Sequence, residues 1–371
     1  MFMIYHIFWG TAGNAGLYLD EIYKTLQDKG FEQDAFVNYY YPFDYGHKVF
    51  FKWTEMGHGI KLGKMRNPVR FLELLYALTV IYIHILIHKP QVVNYSLVGV
   101  FAPVLYFLKL VKKTTKCKLI LTCHDVTPFE NKVQSLTKQE RMRKKGFDLA
   151  DFLLVHNQNS ANELEKSFHI QPKKILQHPF PIMDMKKLFQ QPASTEKQYD
   201  FLFLGHLRKE KGIQVLLEAW KLFQPKHPKA SLCIAGEAPF GFDKSACSGL
   251  NVDIILQFLS DDQYFNLGST AHCIILPYTK GTNSGVVSTL VTLNSNIITS
   301  DLEMFKSNAL LSKELMFESG NPHSLVEKMD LVYANMLESS GSAADSVRNV
   351  DSYRSAFRQE VVQLYEFVYH N

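Results

Sequence analysis

Short apolar runs of strand length alternate with stretches in which apolar residues recur every third or fourth position, and the alternation runs through almost the whole chain. This predicts βα units wound around parallel sheets: a strand buried on both faces reads as an unbroken apolar run, and its crossover helix shows one apolar stripe. In the first half the predicted strands cover residues 3–8, 34–38, 91–95, 118–122, 152–155 and 174–177. In the second half they cover 200–204, 231–235, 252–257, 273–276, 296–299 and 315–318.

Between the two series, residues 183–198 are polar, lack a period and contain Pro192, as a linker does. The pattern predicts an N-terminal parallel-sheet domain over residues 1–182 and a second over 199–352. Length agrees, since 371 residues fit two domains of about 150 residues. Beyond the linker, Ile213, Leu216, Leu217 and Trp220 share one helical face, so the first βα unit of the second domain is sharply defined. The last segment, 353–371, reads as an amphipathic helix. In open parallel sheets ligands collect at the carboxyl ends of the strands, and with two such sheets the expected site is the cleft they face.

Composition narrows the class. With 46% hydrophobic and 20% charged residues the chain is an ordinary globular sequence, which excludes a disordered or fibrous protein. The net charge of +4 gives no sign of a nucleic-acid partner. The charge is uneven, however: residues 1–190 carry +9 and the remainder −5. The basic half either works against an anionic surface or substrate, or is basic without consequence. Five scattered cysteines with no C-x-x-C pair suggest neither a disulfide framework nor a zinc site. The start MFMIYHIFWG has no basic leader and reads as a first core strand, so a cytoplasmic location is expected.

The most apolar stretch, 71–88, is interrupted by Glu73, His84 and His88 and falls short of the roughly 20 apolar residues a bilayer span needs. It is not expected to cross a membrane. Two basic clusters adjoin it. Lys48, Lys52, Lys61, Lys64, Arg66 and Arg70 are interleaved with Phe50, Phe51 and Trp53, and Lys109, Lys112, Lys113, Lys116 and Lys118 follow. Each basic residue near an anionic leaflet contributes about 1 kcal/mol, so the clusters suit peripheral attachment if they share a face. A buried helix with a solvated basic flank is the other reading.

Two loops are candidates for chemistry. Gly10, Gly13 and Gly16 form G-x-x-G-x-x-G between a strand and a helix, where bare backbone amides can meet an anion or a sugar hydroxyl, or simply form a tight turn. The spacing departs from the dinucleotide fingerprint and no acidic residue ends the second strand near Asn38, so bound NAD is not expected. In the second domain the strand FLFL ends in Gly205 and leads through His206-Leu-Arg208-Lys-Glu-Lys211-Gly212 into a helix. Arg208 offers a planar fork for phosphate oxygens and Lys211 a mobile point charge. The loop either binds phosphates or is merely solvated.

At this loop the chain resembles the retaining family-4 glycosyltransferases of the GT-B fold, whose second domain opens with a strand followed by G-x-[LI]-x-x-x-K-G. Other segments match in order. Phe258-Leu259-Ser-Asp-Asp-Gln-Tyr264 is similar to the stretch beside the nucleobase. Pro277-Tyr278 followed by Asn283-Ser284-Gly285 is similar to the loop under the diphosphate. In the first half His124-Asp125-Val-Thr-Pro128, Val155-His156-Asn157 and His178-Pro179 also match.

The resemblance implies two Rossmann-like domains facing a central cleft, with the last helix crossing back to the first domain. It implies a hexosyltransferase-type enzyme that moves a sugar from a nucleoside-diphosphate sugar to a glycan or lipid-linked acceptor, with retention and without metal or cofactor, in cell-surface polysaccharide synthesis. Arg208, Lys211, Ser284 and Gly285 would hold the diphosphate. Gly205, Glu237, Phe258, Leu259, Tyr278 and Asn283 would line the nucleotide and sugar. His124 would face the donor sugar with Asp125 holding its loop, and Gly13, Asn14, Gly16 and His156 would lie near the acceptor.

Two departures stand out. His206 occupies the place where many members carry arginine, which here falls at Arg208, and the pair of glutamates common in the family is replaced by Gly281 and Thr289. This leaves as alternatives a catalytically silent nucleotide- or glycan-binding module and, ranked lower, a nucleotide-sugar epimerase.

Overall fold

Each half of the chain folds as a parallel sheet layered with helices, as the alternating pattern predicts. The computed structural model describes residues 2–11, 14–60, 62–96, 100–124, 126, 137–182, 196–281, 285–293, 295–338 and 350–371. Of the residues singled out above, Gly13, Lys61, Asp125, Pro128, Asn283 and Ser284, and 183–195 of the linker, lie outside these. The chain divides into two units, one of residues 1–181 with 354–371 and the other of residues 182–353.

In the first unit seven parallel strands run in the order β3-β2-β1-β4-β5-β6-β7. They are β1 (Met3–Phe8), β2 (Glu32–Asn38), β3 (His47–Phe50), β4 (Val92–Ser96), β5 (Lys118–Thr122), β6 (Phe152–Val155) and β7 (Ile175–Gln177). Only β3 is absent from the predicted strands. It is an edge strand whose His47 and Lys48 are exposed, so it carries no run of apolar residues to betray it.

The helices of this unit are α1 (Asn14–Asp28), α2 (Arg66–His88), α3 (Ala102–Thr114), α4 (Lys138–Leu149) and α5 (Gln158–Phe168). Local chemistry sets their ends. A capping box of Thr137 and Glu140 starts α4, the Asn157 side chain accepts from Ser160 N to start α5, and α2 stops where Lys89 turns left-handed. Leu74, Leu78, Ile81 and Ile85 form the inner stripe of α2 and join the main core with Tyr5, Ile7 and Val93 of the sheet.

By length and composition alone Gly63–His88 is apolar enough to cross a membrane. Its one acidic residue, Glu73, is buried and accepts hydrogen bonds from Trp53 N at 2.8 Å and from the Thr54 hydroxyl. Far from interrupting a span, this carboxylate fastens the 51–55 loop to α2, which is a layer of the α/β sandwich.

The second unit holds six parallel strands in the order β10-β9-β8-β11-β12-β13. These are β8 (Tyr199–Leu204), β9 (Leu232–Ala235), β10 (Val252–Ile255), β11 (Ala271–Leu276), β12 (Asn296–Ser300) and β13 (Met316–Phe317). Its helices are α6 (Ile213–Phe223), α7 (Asp261–Ser269), α8 (Gly285–Leu290), α9 (Glu303–Lys306) and α10 (Pro322–Glu338). Ile213, Leu216, Leu217 and Trp220 of α6 are buried in the core, as their spacing predicts.

The last helix, α11 (Val350–His370), packs within the first unit from residue 354 onward. Phe357, Val361, Tyr365 and Val368 are its buried stripe. Its Tyr365 hydroxyl accepts from Asn94 Nδ2 at 2.8 Å, and Asn94 Oδ1 accepts from the Thr122 hydroxyl at 2.8 Å, so the helix is bonded to the centre of the sheet.

Candidate active site

In the second unit the basic loop follows β8 directly. Arg208 caps a short 3-10 turn, Lys209–Lys211, that leads through Gly212 into α6. The neighbouring strand β11 ends in Pro277-Tyr278, and the two loops are joined by a hydrogen bond from Thr279 N to Glu210 O of 2.9 Å. Gly212 has φ of +70°, and a Cβ there would stand 1.7 Å from Pro277 O, so this closeness requires glycine. The sequence therefore brings the end of β8 against the end of β11 with no side chain between.

Lys211 does not behave as the mobile charge expected of it: its Nζ sits 3.8 Å from the centroid of the buried Tyr278 ring. Such a contact is attractive by about 0.5–2 kcal/mol and restrains the ammonium. Arg208 lies 4.0 Å from Glu210, too far for a strong pair, and its Nε–H is buried without a hydrogen-bond partner among the described residues. Glu237, after β9, approaches the same loop: its carbonyl accepts from Leu207 N at 2.8 Å, and its carboxylate is 3.5 Å from His206 Nδ1. Both side chains of that pair are about half exposed, so it contributes little to stability.

The remaining candidates of this unit are spread along the same carboxyl edge. Gly205 ends β8 and Gly285 opens α8 after β11. Phe258 and Leu259 follow β10, two strands from β8, and Phe258 is 74% exposed. At the positions lacking glutamate, a Cβ on Gly281 would meet Met304, and Thr289 is buried with its hydroxyl donating to Val286 O at 2.8 Å.

In the first unit the carboxyl ends of three adjacent strands each deliver a histidine: His124 after β5, His156 after β6 and His178 after β7. His124 Nδ1 and His156 Nε2 share a hydrogen bond of 3.0 Å. Tyr18 of α1 packs edge-on against both rings and stacks on His178. His178 Nδ1 lies 2.8 Å from Pro179 O, which only accepts, so Nδ1 carries the proton and Nε2 accepts from the Tyr18 hydroxyl at 2.7 Å.

Burial holds the three rings neutral at physiological pH. His124 and His178 are pushed down to about 4, His124 chiefly by burial and further by His178. His156 falls well below its ordinary value through burial and the two neighbouring imidazoles. A neutral His124 hydrogen-bonds hydroxyls instead of acting as a fixed cation.

Gly16 lies in the first turn of α1, buried, its carbonyl taken by the Tyr41 hydroxyl at 2.9 Å, and Asn14 opens the same helix. Two residues after Gly16, Tyr18 stands at the centre of the histidine group. Neither Tyr18 nor His178 is among the predicted site residues. The only trace in the sequence is Tyr18 lying half a turn beyond the glycine run, with His178 in the H-P dipeptide.

The two parallel-sheet units, with a basic loop at the first strand of the second, have the architecture of the GT-B fold. Comparison with known proteins gives the family. Residues 184–346 match the model of the glycosyl transferases group 1 family, so the second unit carries a domain of that family. No curated protein sequence matches the chain.

Among solved structures it is similar to sucrose-phosphate synthase from Thermosynechococcus elongatus, with TM-score 0.69, 14% identity and 100% of each chain covered. It is similar to an E. coli trehalose-6-phosphate structure bound with UDP-2-fluoro glucose, with TM-score 0.63, 10% identity and 99% of each chain covered. A putative UDP-N-acetylglucosamine 2-epimerase from Listeria monocytogenes has TM-score 0.56 and 12% identity over 93% of this chain and 92% of that one. At these identities the likeness is one of fold, and one fold here houses different reactions.

Proposed function

We propose that the protein is a retaining glycosyltransferase, working without metal or cofactor, that moves a hexosyl group from a nucleoside-diphosphate sugar to a glycan or lipid-linked acceptor in cell-surface polysaccharide synthesis. It works at the cytoplasmic face of a membrane, with the exposed lysines of the two basic clusters against anionic lipid. The observation that carries this reading is the loop after β8, where a restrained Lys211 and a buried Arg208 Nε–H, unpartnered among the described residues, stand together at a strand end.

In this reading Arg208 and Lys211 neutralise the diphosphate as it leaves, each charge-assisted bond contributing roughly 1.5–3 kcal/mol. Ser284 and Gly285 add backbone amides, and Gly205, Glu237, Tyr278, Asn283, Phe258 and Leu259 surround the nucleotide and sugar. His124, neutral, hydrogen-bonds a hydroxyl of the donor sugar, with Asp125 holding its loop, while His156, Gly13, Asn14 and Gly16 serve the acceptor side. The His156–His124 bond and the Tyr18–His178 bond fix the His124 ring.

The test is transfer itself, followed by NMR of the product's anomeric centre, with and without EDTA. Retained configuration and unchanged rate in EDTA support the reading. Inversion removes retention, and loss of activity in EDTA removes metal independence. Donor binding without any transfer leaves the silent module, which the absence of a carboxylate at Gly281 and Thr289 favours.

A further inference from the structure

Helix α2 has a second apolar stripe. Leu72, Leu75, Tyr76, Ile83, Leu86 and Ile87 are exposed on the side opposite the core-facing stripe, so the helix is apolar all round without being buried all round. The neighbouring α3, tied to it by the Tyr82–Thr114 hydroxyl bond of 2.9 Å, adds Tyr106, which is 71% exposed. Neither helix has an exposed acidic residue, for Glu73 is buried, while Lys64, Lys109, Lys113 and Lys116 stand exposed around them. This combination of apolar stripe and positive rim is complementary to an anionic lipid surface.

Beside the stripe, between α2, α3 and the ends of β1 and β3, opens a cavity of about 860 Å³. Its wall is largely aromatic and aliphatic, including Trp9, Phe51, Phe71, Leu74 and Phe101. Among the described residues its one cation is already satisfied: the Arg70 guanidinium lies 3.6 Å over the Phe51 ring, donates to Thr54 O at 3.1 Å and pairs with Glu55 at 3.4 Å. Glu55 also accepts from Asn38 Nδ2 at 2.8 Å. With the charges of its described lining compensated internally, the cavity suits an uncharged apolar group better than a phosphate. Gly10 and Thr11, at the start of the glycine run, line the same space.

We infer that this cavity receives the hydrocarbon chain of a lipid drawn from an anionic bilayer lying against the outer stripe of α2, and so anchors a lipid-linked acceptor beside the β1 loop. The inference rests on the proposal that the acceptor is lipid-linked.

Trp9 reports on it directly, because it lines the cavity yet is only 8% exposed. In a Trp53→Phe variant, which removes the exposed indole, emission is compared on phosphatidylglycerol–phosphatidylcholine vesicles with and without bromine on the acyl chains. Trp220 is sealed in the core of the other unit and supplies an unquenched baseline. The expected result is bromine-dependent loss of most of the Trp9 emission. Asn67→Phe, at an exposed position on the rim, should narrow the mouth and restore that emission while flotation with vesicles is kept.

Flotation without Trp9 quenching overturns the inference, as does absence of flotation or quenching that Asn67→Phe leaves unchanged. Transfer assayed on a soluble glycan acceptor reads the proposed activity separately, since it needs neither vesicle nor cavity.

Discussion

The ammonium of Lys211 lies 3.8 Å over the ring of Tyr278, which is itself buried and packed on Phe305 at 5.4 Å between centroids. A lysine on a loop ordinarily loses rotamer freedom when it meets a ligand. Here part of that ordering is present beforehand, because the ring holds the charge at the joined ends of β8 and β11. The Glu210 carbonyl accepting from Thr279 N keeps ring and lysine in register.

That junction makes two glycines respond differently. Gly205 has φ of +138° and open space around its missing Cβ, so Gly205→Ala meets only backbone strain, about 1–3 kcal/mol. Gly212→Ala adds a clash with the Pro277 carbonyl to a comparable strain and should destabilise the protein more. Urea denaturation ranks the two, and equal midpoints would show that the β8 and β11 loops are not locked together.

The histidine group predicts acid sensitivity of a definite sign. The folded-state values near 4 for His124 and His178 lie below the unfolded value of about 6.5, so the folded protein binds fewer protons between them. Their contribution to stability is complete above about pH 6.5 and is lost as pH falls toward 4, with a limiting slope of about 1.4 kcal/mol per pH unit for each ring. The urea midpoint should therefore drop between about pH 7 and 5, and His178→Gln should flatten the drop. A wild-type midpoint indifferent to pH over that interval contradicts the buried neutral rings.

Attachment to anionic vesicles should depend on particular lysines and not on the whole basic segment. Arg66 and Arg70 both donate to Thr54 O, Lys112 pairs with Asp151 at 2.7 Å, and Lys118 bonds Asn371 O at 2.8 Å, so replacing these disturbs the fold. Lys64, Lys109, Lys113 and Lys116 are exposed. Changing those four to Gln should weaken flotation by roughly 1 kcal/mol per residue and leave the urea midpoint in place. Undiminished flotation would return both clusters to solvated surface.

The parallel strands were legible because each is a buried apolar run, and the loop after β8 because glycine and two cations follow such a run at once. Edge strand β3 was not, since its outward His47 and Lys48 break the run. Tyr18 and His178 were hidden for another reason: 160 positions separate them, and only the order β1-β4-β5-β6-β7 brings the strand ends together. The outer stripe of α2 is not legible in the sequence because an all-apolar helix reads as buried, and Glu73 reads as an interruption because the 51–55 loop it fastens is brought to it only by the fold.

Nucleoside-diphosphate binding to wild type and Lys211→Ala tests the central claim most directly. UDP, GDP, ADP and dTDP are each titrated while thermal unfolding is followed; a ligand at 100 times its dissociation constant adds about 2.7 kcal/mol to stability. One nucleotide should raise the melting temperature of the wild type, and Lys211→Ala should bind it roughly ten- to a hundredfold more weakly, the loss of one charge-assisted bond. Equal affinity in the two proteins would contradict the assignment of the diphosphate to the loop after β8.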